Sequence, residues 1–301
     1  MRGFLLPDGE IADGVSARAP DLPFDTFELA GEDVLRRVAF YVPPFMGGQE
    51  TVNVLPRMPQ LEVVQTLTIG VDWIAEQLPP GVTLCNAKGV FEESTAELVV
   101  CGLLSMVKHI PRFVHAQSAS RWDHRRVGSL AGATVAILGY GAIGQRVGRQ
   151  LRCFDVEVIG ITRSGRNGTN RLDAVRDRLP KVVGLVITVP LTDETSGLVD
   201  GPLLASLPPG AVVVNAARGA VVDSDALEAE LTSGRLRAVL DVTDPEPLPP
   251  SSPLWQLENV LITPHVGGDT TRFPPLACDL VVDQIRRFSH GDPLVNLVAR
   301  T

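Results

Sequence analysis

A chain of 301 residues, 45% of them apolar and with a mean hydropathy of +0.16, can bury one large core or two modest ones, which excludes a disordered or fibrous protein. Its formal charge of −8 argues against nucleic acid or an anionic membrane as the main partner, since both select basic surfaces, and leaves a small molecule as the expected ligand. Cys85, Cys101, Cys153 and Cys278 show neither CxxC pairing nor metal-ligand spacing, so no metal is expected; all four read as core or semi-buried free thiols in a reducing compartment.

From Met1 to about Thr95, the runs FDTFELA, RVAFYVP, LEVVQTLTI and VTLCNA are short strand candidates between proline- and glycine-bearing turns, as in a small α/β unit. MRGFLLPDGE lacks the hydrophobic centre of a signal peptide, and the longest apolar stretch, around Leu98 to Val107, is too short to span a bilayer; the expectation is a cytoplasmic protein. A helix is predicted from about Glu92 to Thr95, with Ser94 as its cap, through AELVVCGLLSMVKHI as far as Pro111. A polar arm containing Trp122 follows. Strands are then predicted at 134–138, 156–161, 182–189, 211–215, 236–241 and 259–262, with helical or irregular segments between them. That alternation implies a doubly wound parallel sheet with right-handed crossovers. A last helix, about Pro275 to Ser289, turns Leu276, Leu280, Val281, Ile285 and Phe288 to one face.

The run TVAILGYGAIG, Thr134 to Gly144, is a β-type segment breaking into Gly139, Gly141 and Gly144 in the pattern GxGxxG. A strand that ends in such a turn and opens a helix leaves unpaired N–H groups and a positive dipole end aimed at one spot, which suits a pyrophosphate. The first glycine permits the turn, the second lets a dinucleotide approach, and the third lets helix pack on strand. A glycine loop that merely turns the chain is the competing reading. Ile143, Val147 and Leu151 at helical spacing, and VEVIGI as the next strand, complete a β-α-β unit and disfavour it.

Ligands of open parallel sheets lie beyond the strands' carboxyl ends, and three charged residues follow strands here: Arg218 after AVVVNAA, Glu246 after RAVLDVTDP and His265 after NVLITP. A histidine can exchange a proton with a hydroxyl or carbonyl oxygen while a carboxylate on its other ring nitrogen fixes the tautomer. An arginine fork can hold a carboxylate and polarise an adjacent carbonyl. Together they describe hydride exchange on a 2-hydroxy or 2-oxo acid. Each has a plainer reading: His265 as a packing group, Glu246 as a solvated loop acid, Arg218 as the partner of a structural carboxylate such as Asp223. Asp241 could cap the next turn or meet a cofactor carboxamide. Tyr41, Phe45, Met46 and Trp122 could shape a pocket, although such residues are more often core.

The stretches LGYGAIGQRVGRQL, VPLTDETSGLV, LPPGAVVVNAARGAVVDSDALEAEL, AVLDVTDPEPLP and NVLITPHVGG resemble the successive motifs of the D-isomer-specific 2-hydroxyacid dehydrogenases, over about Cys85 to Gly268. The resemblance implies that Arg218 binds the substrate carboxylate and carbonyl, that His265 donates the proton in reduction, and that Glu246 is its partner. It also implies that backbone amides at Thr68, Ile69 and Gly70 take the substrate carboxylate, where Thr68 and Ile69 are larger than the residues often found there. The implied fold is two Rossmann-like domains with doubly wound parallel sheets, the cofactor domain inserted in the substrate domain. The expected boundaries are 1–95 for the first part of the substrate domain, 96–272 for the cofactor domain, and 273–301 for the return helix and tail. A homodimer is implied, embraced by the helix and arm at about Ala96 to Arg126, with Trp122 as a dimer contact or site-lining residue. The same fold serves corepressor-like nucleotide sensors, and a similar glycine loop serves methyltransferases using adenosylmethionine; the Arg, Glu and His set favours the enzyme over both.

An NAD-preferring protein of this kind carries an acid at the end of the second strand. Here VIGITRSG puts Thr162 at that position, followed by Arg163 and Ser164, so NADP(H) is the expected cofactor, with NAD(H) as the alternative and a solvated Arg163 as the competing reading. The expected cofactor contacts are Gly139, Gly141, Ala142, Ile143 and Gly144 at the turn, Thr162, Arg163 and Ser164 at the ribose, and Val189, Pro190, Thr195, Ala216, Arg218, Asp241, His265 and Gly267 towards the nicotinamide.

Overall fold

The computed structural model describes residues 3–298. They divide into two units: the first runs to Phe91 and resumes at Thr270, and the second, Glu92–Asp269, is inserted between those segments. The insertion thus begins four residues before, and ends three residues before, the boundaries expected from sequence.

The first segment contains Gly3–Leu6 (β1), Glu10–Arg18 (α1), Asp25–Thr26 (β2), Glu32–Leu35 (α2), Val38–Tyr41 (β3), Glu50–Asn53 (α3), Val63–Gln65 (β4) and Thr83–Cys85 (β5). The five strands are parallel, in the order β2-β1-β3-β4-β5. β1 and α1 lie in a stretch whose sequence offered no clear pattern; Gly9 and Gly14 dilute the helical signal there, and α1 gains its place by packing on the chain's last helix.

The inserted unit contains Glu92–Val107 (α4), Ile110–Ser118 (α5), Thr134–Leu138 (β6), Ala142–Arg152 (α6), Glu157–Ile161 (β7), Gly184–Ile187 (β8), Gly201–Ala205 (α7), Val212–Asn215 (β9), Ser224–Thr232 (α8), Arg237–Leu240 (β10) and Val260–Ile262 (β11). Its six parallel strands run β11-β10-β9-β8-β6-β7. Period-two alternation serves two covered faces: Val135 and Ile137 pack on the side of α4 and α6, whereas Ala136 and Leu138 enter the opposite cluster with Leu185, Ile187 and Val213. After β6 the chain lays β7 on one side and β8 on the other, so the glycine turn opens at the point where sheet growth reverses. The first unit is completed by Phe273–His290 (α9), whose Ala277, Val281 and Ile285 are buried and which ends on Gly291 at φ 76.

Several sequence expectations need correction. The long helix does not run to Pro111: α4 stops at Val107, His109 takes φ 55, and Pro111 lies in the first turn of α5, where a missing N–H costs nothing. Ser94 is buried inside α4 instead of capping it. Among the described residues no single helix is long and apolar enough to cross a membrane; α4 and α5 satisfy that composition only as a pair bent by 66°. Cys85 and Cys278 are buried, but Cys101 and Cys153 are exposed, because Cys101 falls on the outer side of α4 and Cys153 just past the end of α6. Tyr41 is core, its hydroxyl donating to the Thr51 carbonyl (3.1 Å), and Phe45 stacks among Phe91 and Phe273 within the first unit. Met46 and Trp122 are exposed, Trp122 at 93%.

Candidate active site

The three glycines of the turn behave differently in space. Gly139 has φ 98, and a methyl group there would lie 2.6 Å from Thr188 C and Val189 N, so only glycine fits. A methyl on Gly144 would collide with the Gly139 carbonyl, whereas one on Gly141 would meet only open space. That open space lies at the N-terminus of α6, an 11-residue helix with no side-chain cap, whose first-turn amides at Ala142 and Ile143 have no backbone acceptor among the described residues. These unpaired donors at a helix N-terminus suit a dinucleotide pyrophosphate in charge and position. The Thr188 hydroxyl braces the turn by donating to the Gly139 carbonyl (2.8 Å). Beyond β8, Thr195 Oγ1 donates to the Pro190 carbonyl (2.6 Å) and accepts from Thr192 N (2.8 Å), closing the loop that begins at half-buried Val189.

At the end of β7, Thr162 Oγ1 accepts from Gly165 N (3.1 Å) and bonds Thr169 Oγ1 (2.7 Å), which folds 162–169 into a closed turn. Ser164 borders a cavity of about 750 Å³ between this turn and α6. Arg163 does not line it. Its Nη1 donates instead to Glu194 Oε2 at 2.6 Å, with the guanidinium side chain 85% exposed.

The three strand-end residues come from adjacent strands β9, β10 and β11. After β9, Asn215 shapes the turn: its Nδ2 donates to the Arg218 carbonyl (2.9 Å), and its Oδ1 accepts from Ala217 N (3.0 Å), with Ala216 enclosed between them. Arg218 is extended (φ −146, ψ 145), and its Nη1 donates to the Ala217 carbonyl at 2.8 Å. Asp223, the structural partner considered for it, caps α8 by accepting from Ala226 N (3.0 Å). A methyl on Gly219 would strike the Thr243 carbonyl, so this turn packs directly on the loop that carries Glu246.

His265 Nδ1 and Glu246 Oε1 are 2.6 Å apart, with the side chains 29% and 37% exposed. With Nδ1 so engaged, Nε2 is the ring nitrogen left for exchange. The His265 backbone takes φ 53, an uncommon conformation for a residue with a Cβ, and its N–H is directed at the Asp241 carbonyl (2.8 Å) and the Thr263 carbonyl (2.9 Å). Asp241 is buried and explains why the turn holds: Oδ1 accepts from Thr263 Oγ1 (2.6 Å) and Val266 N (3.0 Å), and Oδ2 accepts from Gly267 N (3.0 Å). Capping describes these contacts. Asn215, Thr263 and Arg166, which lines the cavity beside Ser164, were not singled out from the sequence. The position of a polar residue at a strand end was the available signal for Asn215 and Thr263.

Thr68, Ile69 and Gly70 follow β4 in the first unit. Thr68 Oγ1 donates to the Gly70 carbonyl (2.7 Å) and Asn86 Nδ2 to the Ile69 carbonyl (3.0 Å). These bonds fix the carbonyls, while the amides of Ile69, Gly70 and Val71 donate to no partner among the described residues.

The family model for the D-isomer specific 2-hydroxyacid dehydrogenase NAD-binding domain matches residues 100–267, more than half of the chain and nearly all of the inserted unit. The chain belongs to this family. It is 32% identical over 301 residues to a glyoxylate/hydroxypyruvate reductase B of Pectobacterium atrosepticum, covering 92% of each chain. A D-isomer specific 2-hydroxyacid dehydrogenase from Xanthobacter autotrophicus, solved with NADPH and MES, is similar at TM-score 0.84 and 30% identity, over 99% of this chain and 98% of that one. An NADPH-dependent glyoxylate/hydroxypyruvate reductase from Sinorhizobium meliloti, solved with NADP and malonate, matches at TM-score 0.82 and 27% identity, over 100% and 98%. Two parallel sheets in a 2-hydroxyacid dehydrogenase fold, and an NAD(P)-dependent dehydrogenase, are therefore what this chain is.

Proposed function

We propose that this dehydrogenase reduces a small 2-oxo acid to the D-2-hydroxy acid with NADPH, and runs the reverse reaction with NADP. The His265–Glu246 pair at 2.6 Å, on strands neighbouring Arg218, carries the reading. Nicotinamide supplies the hydride when bound. His265 Nε2 gives its proton to the carbonyl oxygen as hydride reaches carbon, and takes it back in oxidation. Glu246 keeps the other ring nitrogen protonated and the ring oriented. Arg218 holds the substrate carboxylate and carbonyl through its guanidinium fork. Within the first unit, the amides of Thr68, Ile69 and Gly70 form a carboxylate cradle of their own.

The glycine turn takes the pyrophosphate; Ala142 and Ile143 offer amides to it, and Val189, Pro190, Thr195, Ala216 and Gly267 border the path to the nicotinamide. NADP(H) is favoured because no acid stands after β7 to repel a 2′-phosphate, while Thr162, Ser164 and nearby guanidinium groups are present. Asp241 acts as a positioning residue for the His265 turn. The relatives named for glyoxylate and hydroxypyruvate set the substrate class proposed: 2-oxo acids with a small side chain. Ile110, Val114 and Trp122, exposed at 45%, 59% and 93%, form the surface proposed for a second copy; sedimentation of the wild type as a monomer would exclude this.

The test is a spectrophotometric screen of 2-oxo acids with NADPH and NADH. Turnover of glyoxylate or hydroxypyruvate, lost in His265→Ala while NADPH still binds by calorimetry, is the expected result. Wild-type turnover in that variant would refute the assignment.

A further inference from the structure

We infer that the 2′-phosphate of NADP(H) is read by Arg166, together with Ser164 and Asn167, and not by Arg163. The inference rests on the cofactor preference proposed above and adds the residues that enforce it. Its starting point is the cavity of about 750 Å³ between α6 and the turn following β7, which Ser164, Arg166 and Asn167 all line. The hydrogen bonds of that turn sort its side chains into two groups. Thr162 and Thr169 close the turn: their hydroxyls bond each other (2.7 Å), Thr162 Oγ1 accepts from Gly165 N (3.1 Å), and Thr169 Oγ1 donates to the Arg166 carbonyl (2.6 Å). Ser164, Arg166 and Asn167 have no side-chain partner among the described residues. A guanidinium, a hydroxyl and an amide are thus held within four residues, unengaged, on one wall of a cavity. Arg163 lies outside this set, paired with Glu194.

Charge supports the same assignment. In a chain of net charge −8, four arginines line this one cavity. Arg146 and Arg149 share a single Glu93 oxygen at 2.9 and 2.8 Å, whereas Arg152 and Arg166 have no acidic partner among the described residues. Of those two, Arg152 lies in the last turn of α6, about 15 Å along the helix from the phosphate turn at 1.5 Å per residue. Arg166 lies five residues past β7, at the strand end beside which the adenosine ribose binds. A dianionic phosphate monoester gains most from a guanidinium fork with neutral donors beside it. The Arg163–Glu194 pair instead ties the loop after β7 to the loop after β8, a bond that would serve either cofactor alike.

Calorimetric titration with 2′-phospho-ADP-ribose and ADP-ribose tests this without turnover. In Arg166→Ala the preference for the 2′-phosphorylated fragment should fall about tenfold, the loss of one charge-assisted interaction. In Arg163→Ala the two affinities should change by the same factor. Loss of the preference in Arg163→Ala but not in Arg166→Ala, or equal wild-type affinity for both fragments, would overturn the inference. If the fragments behave as expected but no 2-oxo acid is reduced, the reaction proposed above fails and this assignment stands.

Discussion

Asp241→Asn isolates the carboxylate that holds the His265 turn, because the substitution is nearly isosteric and opens no cavity. Asparagine can keep its oxygen on Thr263 Oγ1 and Val266 N, but its amide nitrogen must then face Gly267 N, donor against donor, where the carboxylate accepts at 3.0 Å. A hydrogen bond to a charged group contributes about 1.5–3 kcal/mol, and a buried donor left unsatisfied costs about 1–3 kcal/mol. The two contributions overlap, so the expected loss is about 2–4 kcal/mol. For a unit of this size, about 2 kcal/mol lowers the melting midpoint by about 4–8 °C. Because two units can unfold separately, the inserted one is best followed by fluorescence of Trp122 and Trp255 in a Trp73→Phe background, with urea as denaturant. Turnover should fall with stability, since the His265 N–H reaches the Asp241 carbonyl and the ring is carried on this turn. Thr263→Val removes one of the three bonds and should cost about 1–2 kcal/mol, less than the Asp241 change. An Asp241→Asn protein that unfolds within about 0.5 kcal/mol of wild type and keeps its kcat would refute the positioning role.

Gly144→Ala places a methyl against the Gly139 carbonyl, so the turn must open; NADPH binding by calorimetry should be lost, and binding at wild-type affinity would show that the close approach is dispensable. Thiol titration should find Cys101 and Cys153 reactive in the native chain and all four cysteines in denaturant, since Cys278 is buried and burial pushes the Cys85 thiol up to about 11; rapid native modification of Cys85 would contradict this. Burial, reinforced by Arg237, Arg125 and Arg112, holds the His109 pKa below its usual 6.5. The unfolded chain therefore takes up this proton first, so the stability contribution is complete above about pH 6.5 and is lost as the pH falls towards the folded pKa. His109→Asn, which tolerates the left-handed backbone at φ 55, should flatten that slope between pH 7.5 and 5 in urea unfolding; parallel slopes would rule the contribution out.

The fold class and the glycine turn were legible in the chain because they depend on local periodicity. Val135 to Leu138 alternate between two covered faces, and the GxGxxG spacing serves one strand, one turn and one helix, all within a few residues. Arg218, Glu246 and His265 were legible as strand-end residues, although it is the strand order β11-β10-β9 that sets the strands carrying them side by side, and the fold that brings His265 to Glu246. Other features depended on contacts that sequence spacing does not encode. The role of Asp241 turned on donors 22 to 26 residues away, the break at His109 on a backbone conformation, and the exposure of Cys101 on which side of α4 meets the sheet. The turn after β7, where the cofactor ribose is proposed to bind, shows the difference most clearly. The sequence by itself established that no acid follows β7 and that arginines do. Tertiary structure decided which arginine faces the cavity, because Arg163 found Glu194 on a neighbouring loop while the turn closed by Thr162 and Thr169 left Arg166 open.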